Sequence, residues 1–406
     1  MVRLGAVATV QSGLTLDSGR TQDASSLTRP YLRVANVQDG WVDLSEVKEV
    51  NIPWALARRC ELKPGDVLMT EGGDPDKLGR GTVWQGEILG CLHQNHIFAV
   101  RPTEVLSPRY LALLTQTSYA RAYFEATASK TTGIASTSIR KISSFRIPLP
   151  SIEQQNHLAD FLDIETARID ALVAKKRRLT ELLSERRAGF VEQEIRSLAE
   201  QYGELRLKVA VADVNVGIVI TPAAWYQDNG VPALRGLNVK PGRISGDDLI
   251  FLSAEGDQIN RKSRLRAGDV IVVRTGQAGA AAVVTPEFDG ANCIDLLIIK
   301  PGRLNSDYLT FVLNSDWTQK HIRQHSVGTI QAHFNVGTMA ELPLPVPPRE
   351  VQQAIVHRLS QRAGIIDELY RRLNRQIDLL KEHRQALITA AVTGELEVSG
   401  RPSVDA

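Results

Sequence analysis

Leu158, Leu162, Ile169, Leu172, Leu179, Leu183 and Phe190 recur on an alternating four-three spacing, with polar Glu165, Lys176 and Arg186 at the remaining slots. That spacing is the apolar seam of a coiled-coil helix. From Ile152 to about Arg196 it predicts a helix roughly 65 Å long, longer than a helix inside one compact domain needs to be. The same seam returns 197 residues later, at Ile355, Leu359, Ile366, Leu369, Leu373, Leu380 and Leu387. Outside the seam, Pro148, Glu153, Gln155, Asp170, Glu185 and Arg187 are answered without a gap by Pro345, Glu350, Gln352, Asp367, Glu382 and Arg384. A repeat this long makes the chain two copies of one unit, each a globular portion followed by a long helix.

The globular portions bear this out in their landmarks. Leu32-Arg33-Val34-Ala35-Asn36-Val37 is echoed by Leu234-Arg235-Gly236-Leu237-Asn238-Val239, and Leu62-Lys63-Pro64-Gly65-Asp66-Val67 by Leu265-Arg266-Ala267-Gly268-Asp269-Val270. Short strands are predicted at Tyr31–Val37, Val67–Thr70, Thr82–Trp84 and His96–Val100, with turn chemistry such as Lys63-Pro64-Gly65-Asp66 between them. A helix follows Ser107-Pro108, carrying Tyr110, Leu111, Leu113 and Leu114 into the segment Tyr119–Phe124. Strands first and a helix late give an α+β domain. Between the landmarks the copies diverge, over 71–95 and 127–137 in the first and over 274–292 and 325–335 in the second. A shared frame with unshared loops is how binding differences are placed on a scaffold.

Hydrophobic residues make up 43% and charged residues 23% of the 406, ordinary for a water-soluble globular chain, and the net charge of +2 decides nothing alone. Cys60, Cys91 and Cys293 form no CxxC pair, which argues against disulfides and structural zinc. There is no signal-peptide-like run and no apolar stretch of about 18 residues, so a cytoplasmic location without membrane attachment is expected. No Asn-Pro-Pro-Tyr or Asp-Pro-Pro-Tyr element, GxGxxG or GxxxxGK[ST] loop is present, so neither catalysis nor a cofactor is expected. Asp43, Glu46 and Lys48 have a nuclease-like spacing but read better as a solvated edge. Cys91, His93 and His96 have ligand-like spacing with no second cluster, and read as core or loop residues.

The duplicated order of these blocks, with the proline-rich lead-ins Ile147-Pro148-Leu149-Pro150 and Leu342-Pro343-Leu344-Pro345 and the closing Leu387-Ile388-Thr389-Ala390-Ala391-Val392-Thr393-Gly394-Glu395-Leu396, resembles the specificity subunit of type I restriction-modification systems. The resemblance covers essentially the whole chain. It implies two target recognition domains, each reading half of a split site in double-stranded DNA, joined by two long helices. As partners it implies modification subunits that methylate adenine and a restriction subunit, the endonuclease and translocase. The expected fold is α+β, with two repeated domains joined by an antiparallel, pseudo-two-fold coiled coil. Its boundaries are 1–147 and 201–344 for the domains, 148–200 and 345–396 for the helices, and 397–406 for a tail.

Within that reading, the loop residues suited to DNA are Lys77, Arg80, Lys130, Thr131 and Thr132 in the first copy and Arg274, Gln277, His325, Gln331 and His333 in the second. Cationic side chains neutralise phosphates, while Thr, Gln, His and Arg also reach base edges. A coiled-coil adaptor whose two domains bind proteins is the competing reading, and confinement of the divergence to the loops favours DNA.

Overall fold

The computed structural model describes residues 1–15, 26–38, 40–73, 78–131, 134–275, 278–326 and 335–398, without the side chains of 130, 131, 134 and 323–326. It divides into two units, residues 1–177 with 374–406 and residues 178–373. The long helices α1 (Ile152–Tyr202) and α2 (Arg349–Thr393) have 51 and 45 residues, and each contributes to both units. Helix α1 therefore runs past Arg196, and Gly203, with φ +70°, turns the chain directly into the strand Glu204–Arg206.

In the first unit, β1 (Ala8–Ser12), β2 (Val67–Thr70), β3 (Gly81–Val83) and β4 (Ile97–Pro102) form an antiparallel sheet of order β1-β4-β2-β3. In the second, β5 (Asp213–Val216), β6 (Val270–Val273), β7 (Ala281–Val283) and β8 (Leu296–Lys300) repeat it as β5-β8-β6-β7. Strand β2 has no polar alternation because both its faces are covered: Val67 and Met69 pack with the helix Pro108–Thr115, and Leu68 packs with Trp84 and Leu32 on the other side.

The repeated landmarks prove to be hydrogen-bonding devices. Asn36 accepts from the Arg33 amide (2.8 Å) and donates to the carbonyls of Asp43 (2.8 Å) and Glu46 (3.0 Å). Asn238 does the same with Arg235, Ser245 and Asp247 at 2.9, 3.3 and 2.7 Å. This buried amide is why the strand expected over Tyr31–Val37 instead spans Ser26–Leu32 and gives way to a 3-10 turn at Val34–Asn36. In the Gly-Asp turns, Gly65 and Gly268 both have φ +92°, a conformation that glycine adopts without Cβ strain. Asp66 and Asp269 accept from the amides of Lys63 and Arg266 at 2.8 and 2.9 Å. Asp66 is also gripped by Arg101 through two bonds of 2.7 and 2.6 Å. Lys300, at the matching strand position, pairs with Asp213 at 3.7 Å, and burial pushes the Asp269 carboxyl above its ordinary value.

Each long helix is clamped where it starts. Buried Gln155 accepts from the Ser107 amide at 2.8 Å and donates to the carbonyls of Val105 and Pro150, both at 2.9 Å. Gln352 accepts from the Asn305 amide at 2.7 Å and donates to the carbonyls of Pro347 and Arg303 at 2.9 and 3.4 Å. In the first unit, Lys176 donates to Gln376 at 2.7 Å and Arg384 pairs with Asp170 at 3.2 Å. In the second, Arg187 pairs with Asp367 at 2.7 Å and Arg358 with Glu194 at 2.9 Å. In both units residue numbers rise along one helix as they fall along the other, so the packing is antiparallel.

Three of the fourteen expected seam residues are corrected. Leu162, Ile169, Ile355, Leu359, Ile366 and Leu373 are buried, and Leu158, Leu183, Phe190, Leu380 and Leu387 are half-buried. Leu172, Leu179 and Leu369, however, are 47%, 45% and 42% exposed. The buried row takes the residue one place later, Ala159, Thr166, Val173 and Thr180 in α1, and Ile377 in α2. Both rows keep the four-three spacing and share every other position. The side from which the partner helix approaches chooses between them, and there it buries the smaller residues over the leucines.

Candidate nucleic-acid interface

The described parts of two divergent segments meet just past the end of β2. In the first unit, Ser129–Thr131 and Ile134–Ser136 form a hairpin joined to Gly72–Gly73 just after β2, with Ser136 opposite Gly72. The next residue pair beyond the β2–β4 ladder is Glu71 and His96. The ring Nδ1 of His96 lies 2.5 Å from Glu71 Oε2, and the Glu71 amide donates to the His96 carbonyl at 2.8 Å. A recess of about 300 Å³ opens there, lined by Val34, Glu71, Gly72, His96 and Ser136. In the second unit, Arg274 follows β6 and donates from Nη1 to Asp295 Oδ1 at 2.6 Å. Thr275 Oγ1 lies 3.3 Å from the other oxygen of Asp295.

Residues 251–379 match the family described as type I restriction modification DNA specificity domain. The MjaVIII type I restriction enzyme specificity subunit of Methanocaldococcus jannaschii is 22% identical over 91% of this chain and 86% of its own length. The EcoKI specificity subunit of Escherichia coli K12 is 21% identical over 92% of this chain and 83% of its own. Over most of its length the chain is similar to type I specificity subunits. A solved chain described for the assembly and conformational transition of the type I R-M system shares the fold, with a TM-score of 0.65, 20% identity and 97% of each chain covered.

Of the residues singled out in this chain for DNA contact, the structure describes Arg80 and Arg274 in full. Arg80 is half-buried beside Gly79, whose φ of +72° brings it against the Phe124 ring, so its backbone is tightly placed. Arg274 is only 14% exposed and is oriented by Asp295. Lys130 and Thr131 lie on the hairpin strand and His325 on the helix Asp316–Ser326, with side chains outside the described residues. Lys77, Thr132, Gln277, Gln331 and His333 lie outside the described residues altogether.

The bland readings have physical partners. Cys91 and His93 are buried; burial pushes the thiol up to about 12 and pushes the imidazole below its ordinary value. His93 Nδ1 bonds the Ile97 carbonyl at 2.8 Å, whereas His96 turns to Glu71. Glu46 pairs with Arg33 at 3.0 Å, and the Asp43 carboxylate accepts from the Ser45 amide at 2.9 Å. Sequence reasoning misses Glu71 and Asp295, which carry no motif. The signal available for them is position, at the edge of a divergent segment where a strand ladder ends.

Proposed function

We propose that this chain is the DNA-recognition subunit of a type I restriction-modification complex. Each domain reads one half of a bipartite site in double-stranded DNA, and the chain docks the methyltransferase and restriction subunits without itself being catalytic. The observation that carries this reading is the division of labour inside the repeat. The bonds of Asn36 and Asn238, of Asp66 and Asp269 to their turns, and of Gln155 and Gln352 are kept, while the chemistry changes where the loops leave the sheets. A protein that must hold one frame while reading two sequences needs that division.

In this account Lys77, Arg80, Lys130, Thr131 and Thr132 serve the first half-site, and Arg274, Gln277, His325, Gln331 and His333 the second. The cationic members neutralise phosphates and the others reach base edges, with Arg274 suited to both. No helix among the described residues is long and apolar enough to cross a membrane, and a chain with this role works beside the chromosome, in the cytoplasm. The test is to express the chain with its modification partner and map methylated adenines. A two-part motif with an unread gap is expected, and unspecific or absent methylation by a complex that assembles would contradict the reading.

A further inference from the structure

The two domains present opposite charge order at one shared place. Thr70 of β2 is paired with Ile97 of β4, and Val273 of β6 with Leu296 of β8. One step beyond those last pairs stand Glu71 with His96 and Arg274 with Asp295. In the first unit the acid follows the middle strand and the nitrogen base precedes its neighbour; in the second the base follows and the acid precedes. Both pairs rest on fixed backbone. Glu71 is held by its amide bond to the His96 carbonyl (2.8 Å) and by the Thr137 amide on its own carbonyl (2.7 Å). Asp295 has φ +52°, in the left-handed region that few residues other than glycine, asparagine and aspartate enter, and its amide donates to the Ile218 carbonyl at 3.0 Å.

Resting on the DNA-recognition reading above, we infer that this register position is the one at which each domain discriminates a base. Glu71, oriented by His96, reads a base carrying an exocyclic amine, cytosine or adenine. Arg274, oriented by Asp295, reads guanine. A carboxylate only accepts hydrogen bonds, so it selects the N4 or N6 amine and repels the acceptor edge of guanine; a guanidinium does the reverse, bonding guanine O6 and N7. His96 donates to one carboxylate oxygen, which leaves Oε1 for the base, and the recess bounded by Val34, Gly72 and Ser136 gives a base edge access to it. Ser136, which bounds the recess, belongs to the strand that pairs with Ser129–Thr131.

The experiment uses the full chain assembled with its modification subunit. Glu71→Ala and Glu71→Arg are compared with the wild type by competition binding to duplexes in which each base pair of the mapped motif is replaced in turn. For Glu71→Ala, which removes the acceptor, discrimination should fall at least tenfold at one cytosine or adenine position of one half-site and at no position of the other. Glu71→Arg should shift preference at that position to guanine, and Arg274→Gln should relax one guanine position in the opposite half-site. A Glu71→Ala profile that matches the wild type at every pair overturns the inference while leaving the DNA-recognition reading intact. A wild-type complex that shows no discrimination at any pair overturns that reading and the inference with it.

Discussion

Arg384 pairs with Asp170 in the first unit, and in the second the residues that match them in the repeat, Arg187 and Asp367, pair at 2.7 Å with the helices exchanged in role. Such exposed pairs contribute only about 0–1 kcal/mol, so Asp170→Ala should alter stability little. Arg384 also donates to Gln116 Oε1 at 3.1 Å, tying α2 to the domain. Arg384→Ala should therefore cost more, about 1–2 kcal/mol, in urea unfolding. Equal effects of the two substitutions would show that the Gln116 bond carries nothing.

The clamp at the start of each long helix predicts a local effect. Gln155→Leu leaves the Ser107 amide and the carbonyls of Val105 and Pro150 buried without their partner, at a cost of about 2–4 kcal/mol. Hydrogen exchange should quicken at Ser107 and stay unchanged at Asn305, which Gln352 holds in the other unit. Faster exchange at both amides would contradict independent clamping.

The corrected seam gives a sharp contrast between adjacent residues. Val173→Gln puts an amide into the buried row and should cost about 1–3 kcal/mol, whereas Leu172→Gln should stay within about 0.5 kcal/mol. Thermal unfolding of the two variants decides which row faces the partner helix, and a larger loss for Leu172→Gln would restore the row that the leucines suggest.

That contrast marks how far the sequence carries. The repeat, the two helices and three of the four strands of the first core sheet, β2, β3 and β4, follow from periodicity and turn residues, because those signals are local; β1 (Ala8–Ser12) is not among the expected strands. The choice between Leu172 and Val173 is not local: both fit the spacing, and only the approach of a second helix separates them. Asn36 was legible as a repeated letter, but its bonds to Asp43 and Glu46, which end the strand early, depend on how the following loop folds back. In the candidate site, Arg274 stood out as a cation in a divergent loop. Glu71 and Asp295 became visible only when the ladders showed Glu71 with His96, and Arg274 with Asp295, one step beyond matching strand pairs, with the acid on opposite strands.

Acid should weaken the second unit through Asp257. Burial raises its carboxyl, but the bonds from Arg264 and Asn292 outweigh burial and hold it below the ordinary value of 3.8. A lowered folded value means that the fold favours the ionised form. Its contribution is complete above the ordinary value and is lost as pH falls through the folded one. The stability gap between wild type and Asp257→Asn, measured by urea unfolding, should be flat from about pH 7 to 5 and shrink below about pH 4. A gap that widens in acid would reverse the assignment.

Exchange of residues 1–147 for the corresponding domain of a relative, followed by methylation mapping with a modification subunit present, tests the central claim most directly. One half of the methylated motif should change, while the other half and the unread gap are retained. A motif altered in both halves, or in neither by a complex that still methylates, would contradict the assignment of one half-site to each domain.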